Sequence, residues 1–97
     1  MGAIIAIGEF DKSNEFYINY SAKSLDECII RFNKDVGVSV WISARARFLR
    51  SMMEIFLESG MDCSSFIDKI QVEGEEFERM SVSKRIRIDG ERIVQID

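Results

Sequence analysis

Residues 3–10 read AIIAIGEF, an Ile-rich apolar run, and residues 15–22 read EFYINYSA, with Phe16, Ile18 and Tyr20 at alternate positions. The polar DKSN between them offers Asp11, Ser13 and Asn14 as turn formers, so the pattern predicts an N-terminal β-hairpin. Ser24-Leu25-Asp26-Glu27 then fits the capping box, in which a serine accepts from a backbone N–H and the glutamate three places on reaches back. A helix is predicted from about Leu25, with Leu25, Ile29 and Phe32 on its inner face. Gly37 interrupts it. Val36, Val38, Val40 and Ile42 alternate as in a strand, or else Ser39 caps a helix that has already begun.

The strongest helical pattern runs from Ser43 to Ser59. Phe48, Leu49, Met52, Ile55 and Phe56 share one face, while Arg47, Arg50, Glu54 and Glu58 are expected to point to water. Gly60 supplies the stop. The segment DCSSFIDKI reads as a shorter helix, with Asp62 near its start and Phe66, Ile67 and Ile70 inward. Two β-prone runs in RIRIDGERIVQI flank Asp89-Gly90, which suits a tight turn and predicts a C-terminal hairpin. A two-residue turn would set Arg87 opposite Arg92. A three-residue turn would set Arg87 opposite Glu91, the better charge pairing.

Hairpin, helices, hairpin is an α+β order: an antiparallel sheet built from the N-terminal and C-terminal hairpins, packed against the long amphipathic helix and one or two shorter ones. No repeat, low-complexity tract, linker or proline divides the chain, and its 97 residues suit one domain, 1–97. The apolar share, 46%, is enough for a core and unlike a disordered chain. The first apolar run is much shorter than the ~20 residues of a membrane span and lacks the flanks of a signal peptide. Cys28 and Cys63 are too sparse for a disulfide scaffold, so free thiols and a cytoplasmic setting are expected.

Charge and chemistry narrow the function. The formal charge is −4, which argues against binding to nucleic acid or an anionic membrane and favours a basic partner. The chain has no histidine. That removes Ser-His-Asp and Cys-His catalysis and the common zinc motifs. No CxxC pair, phosphate loop or dinucleotide fingerprint is present, so no catalytic residue, metal or cofactor is assigned. The stretch EGEEFER gathers Glu73, Glu75, Glu76 and Glu78 around Phe77. A carboxylate pair there could in principle serve acid/base chemistry, but exposed carboxyls are hard to tune, and the spacing is not that of a calcium loop. A solvated charged segment is the plainest alternative. Docking of a basic protein uses the whole stretch: the charges steer association and the ring anchors it.

In its short length, acidity, α+β order, lack of a catalytic signature and acidic cluster at Glu73–Glu78, the chain resembles the small immunity proteins that neutralise bacterial polymorphic toxins, including those of contact-dependent growth inhibition and colicin-type systems. The resemblance implies a non-enzymatic cytoplasmic inhibitor of one cognate toxin domain, often a basic nuclease. Two other classes stay open. A nucleic-acid accessory domain would use Arg45, Arg47 and Arg50 or the hairpin residues Lys84, Arg85, Arg87 and Arg92. A structural or self-associating module would use an apolar patch or a free strand edge.

Overall fold

The computed structural model describes residues 2–38 and 42–96. In chain order the elements are β1 (Ala3–Ile5), α1 (Glu15–Ser21), α2 (Leu25–Asp35), α3 (Ser43–Glu58), β2 (Ile67–Val72), β3 (Glu75–Ser81), β4 (Ile86–Asp89) and β5 (Arg92–Gln95). The class is α+β with antiparallel strands, as the pattern predicts. Its strands form two sheets: a three-stranded one in the order β1-β3-β2 and a separate β4-β5 hairpin.

The N-terminal hairpin is not formed. Residues 15–21 are helical because Asn14 caps them, its Oδ1 accepting from the N–H of Phe16 at 2.8 Å. Phe16 and Tyr20, four positions apart, both meet the edge of the Phe48 ring at 5.8 Å. Ile18, alternating with them, is 58% exposed. Helical spacing thus satisfies the two rings that find a core partner, and β1 instead pairs with β3, placing Ile4 opposite Met80.

The start of α2 is as predicted: Ser24 Oγ accepts from the N–H of Glu27, and Ile29 and Phe32 are buried. Past its end, Val36 and Val38 belong to no strand. Ser39 and Val40 lie outside the described residues, and Ile42 enters α3 without a side-chain cap. Helix α3 buries Phe48, Leu49, Met52 and Phe56, together with Met53, Ser51 and Arg45. Its buried face is wider than the sequence implied because α1, α2 and β1 all pack on it. Arg50 and Glu54, expected to point to water, have side chains only 17% and 19% exposed and pair at 3.0 Å. The Arg50 guanidinium also lies over the Phe10 ring at 5.2 Å, under the connection between β1 and α1.

The segment read as a short helix is a turn followed by β2. Phe66 and Ile67 are buried as expected, but pairing with β3 determines the backbone: Ile67 stands opposite Met80 and Val72 opposite Glu75. Phe66 closes an aromatic cluster with Phe32 and Phe56, all edge-to-face at 5.7–6.2 Å. Such pairs contribute ~0.5–1.5 kcal/mol each beyond the area they bury.

The C-terminal hairpin is present in a register other than either one predicted. Its turn is Gly90-Glu91, so Asp89 faces Arg92 and Arg87 faces Val94. This lets Asp89 and Arg92 pair at 3.3 Å while Ile86 and Ile93 reach the core. The hairpin is held from both sides. Asn33 on α2 acts as a substitute strand partner, accepting from Ile86 N and donating to Ile86 O at 2.8 and 2.9 Å. On the other side, Asp62 accepts from the N–H of Ile93 and donates to Glu91 O. The radius of gyration, 12.7 Å, is close to the ~13 Å of one compact domain of about this length.

Candidate protein-docking surface

The stretch that carries the acidic cluster forms the tip and second strand of the β2-β3 hairpin. Glu73 and Gly74 make the turn, with φ of 51° and 83°. Positive φ at both central residues is the signature of the tight turn that matches strand twist. Beyond it, alternation divides the cluster between the two faces of the sheet. Glu76 and Glu78 fall on the side of the core-facing Met80, and Glu76 there pairs with Lys69 at 3.5 Å. Glu75 and Phe77 fall on the opposite, outer side. Glu73, Glu75, Glu76, Phe77 and Glu78 therefore do not form one surface.

The outer side has its own composition. Strand pairing brings Phe77 opposite Ile70, and Glu75 opposite Val72. Ile5 of β1 stands beside Arg79, which faces Asp68. Ile5 and Val72 are 37% and 36% exposed, and Phe77 and Ile70 are half-buried. On the core side of the same strands, Ile67 and Met80 are buried. The outer face is thus a short apolar strip of Ile70, Val72 and Phe77, with Glu73 and Glu75 at its tip and a charge pair behind it. Arg79 holds Asp68 with two parallel hydrogen bonds, Nε to Oδ1 at 3.0 Å and Nη2 to Oδ2 at 2.6 Å. These bonds keep the Asp68 carboxyl below the usual carboxylate range. Sequence reading missed Ile70 and Val72 as neighbours of Phe77. The signal was present in the period-two spacing on either side of Glu73-Gly74, but the density of acids masked it.

The basic residues are largely neutralised along α3. Arg45 is buried and donates to Asp35 at 2.9 Å, and Arg47 pairs with Glu15 at 3.1 Å. With Arg50 on Glu54, the helix presents no uncompensated positive face of the kind nucleic acid requires. Among the described residues, every carboxyl whose pKa departs from its ordinary value moves down. Glu58 does so because Lys12 and Tyr17 both donate to it, and Asp11 and Asp62 do so through the serines two residues on. A general acid at neutral pH needs the opposite shift. Among the described residues, no three His, Cys, Asp or Glu side chains gather as a set of metal ligands. No helix there is long and apolar enough to cross a membrane. Compared with known protein families, curated proteins and solved structures, the chain matches none.

Proposed function

We propose that this chain is a non-enzymatic, immunity-type inhibitor that binds and neutralises a basic toxin domain, with a nuclease as the leading kind of target. The docking surface in this reading is the outer face of the β2-β3 hairpin. The observation that carries it is the placement of Phe77 with Ile70 and Val72 on an uncovered sheet face, next to Glu73 and Glu75 at the tip. An apolar centre with charge at its edge is the anatomy of a protein interface, in which a few desolvated side chains supply most of the affinity. Glu76 and Glu78, on the other face, contribute to the negative field and not to contact. The setting is cytoplasmic, where an inhibitor would meet a toxin entering the cell.

The chain, used to capture its partner from the source cell, should retain a basic domain that is toxic when expressed alone and harmless when this chain is co-expressed. A captured partner that is acidic, or that has no toxicity for this chain to relieve, would contradict the reading. Self-association is the second reading, favoured by one observation: β2 is an edge strand of the three-stranded sheet. It predicts a dimer for the purified protein at micromolar concentration, where the inhibitor reading predicts a monomer.

A further inference from the structure

At the other end of the same outer face, a cleft of about 440 Å³ opens between the three-stranded sheet and the C-terminal hairpin. Gly2 and Ala3 line it on one side, and its polar lining is dominated by hydrogen-bond donors: Ser64, Ser65 and Ser81, Arg79 and Lys84. We propose that this cleft binds a phosphate monoester group. The inference is independent of the docking surface, which lies toward the hairpin tip.

Most of these donors keep capacity that no acceptor among the described residues uses. Ser65 Oγ accepts from the N–H of Gln95 at 2.9 Å, so its acceptor side is used and its own proton remains to be given. Ser64 donates its backbone N–H to Asp62 at 2.9 Å, and its hydroxyl also serves that carboxylate, holding the Asp62 pKa down, so Ser64 lines the cleft without a spare donor. Ser81 Oγ has only a long contact to Ser83 Oγ, 3.4 Å. Lys84 is exposed and forms no ion pair among the described residues. Arg79 spends Nε and Nη2 on Asp68, which fixes the guanidinium plane and leaves Nη1 to reach a ligand. Asp68 also lines the cleft and would repel an anion, but the Arg79 fork offsets its charge. Lys84 is then the excess, a local positive site on a chain whose formal charge is −4.

Several converging donors of this kind suit a group with several acceptor oxygens. A phosphate monoester presents three terminal oxygens and close to two negative charges, enough to engage an ammonium, a guanidinium and the serine hydroxyls together. A carboxylate has two oxygens and would leave donors idle. Donation to a charged acceptor is roughly twice as strong as donation to a neutral one.

The test is a titration of the full chain with inorganic phosphate and with phenyl phosphate, at ionic strength held constant with chloride, read by amide chemical shifts. Saturable shifts should be confined to Ser64, Ser65, Ser81 and Lys84 and their neighbours. Lys84→Ala, which removes an exposed side chain with no ion-pair partner among the described residues, should keep the parent spectrum and lose affinity about tenfold, the effect of removing one charged hydrogen bond. Lys34→Ala, on α2 and away from the cleft, should bind as the parent does. If phenyl phosphate binds and inorganic phosphate does not, the site reads the ring rather than the phosphate, and the proposal fails. It fails equally if no shift saturates by about 10 mM, if Lys34 responds as strongly as Lys84, or if Lys84→Ala binds unchanged.

Discussion

Cys63 is 6% exposed, and its Sγ lies 3.5 Å from Phe56 O. Burial, reinforced by the neighbouring Asp62 carboxylate, pushes the thiol up from 9.0 to about 11. Burial raises Cys28 as well. Both are free, so the expectation of two unbridged thiols holds. The shift has a definite consequence for stability. A folded pKa above the unfolded one means that the folded chain holds its proton longer, so the contribution is complete below pH 9 and is lost between pH 9 and about 11. Native protein should therefore react slowly with a thiol alkylator at pH 8, and both thiols should titrate once it is denatured without reductant. The denaturation midpoint should fall above pH 9, less steeply in Cys63→Ala. A thiol that alkylates rapidly in the native protein would contradict the burial described. Other residues were less legible. Arg50 and Glu54, four positions apart on α3, pair at 3.0 Å. What the sequence could not announce is that Phe10, from a distant loop, would settle over the guanidinium and take the pair out of water.

Elements whose ends are marked by local chemistry were the readable ones. The Ser24 capping box, the α3 pattern and its Gly60 stop, and the existence of the C-terminal hairpin depend on neighbours within a few residues. The unreadable ones were decided from outside. Phe16 and Tyr20 fit a strand and a helix equally well until the distant Phe48 selects the helix. Phe66, Ile67 and Ile70 are spaced for a helix, yet β3 makes that stretch a strand. The hairpin register likewise follows from burial of Ile86 and Ile93, not from charge pairing alone. The β2-β3 turn carries a strain that its sequence conceals. Glu73 is the one non-glycine residue with positive φ among those described, a conformation that costs an L-residue with a Cβ roughly 1 kcal/mol or more. Asparagine tolerates it better. Glu73→Asn should therefore raise unfolding stability by about 0.5–1 kcal/mol, measured by chemical denaturation, and should weaken partner association if the glutamate is kept for its charge. A variant less stable than the parent would mean that Glu73 makes a stabilising interaction at the tip.

At the scale of the whole molecule, the α+β class followed from element order, but the number of sheets did not. Joining the two hairpins into one sheet was the simplest assembly, whereas the fold gives β1 to β3 and holds the last hairpin through Asn33 and Asp62. That arrangement leaves one face of the three-stranded sheet open. It also divides the acidic cluster, so in the proposed docking mode Glu75 and Phe77 make contact and Glu76 does not. The direct test is binding kinetics with the captured partner at two salt concentrations, for Phe77→Ala, Glu75→Lys and Glu76→Gln. Phe77→Ala should speed dissociation about thirtyfold, equivalent to ~2 kcal/mol for a hot-spot ring. Glu75→Lys should slow association and flatten its salt dependence, and Glu76→Gln should stay close to the parent. If Phe77→Ala dissociates as the parent does, or if Glu76→Gln is impaired as much as the outer-face variants, this face is not the interface.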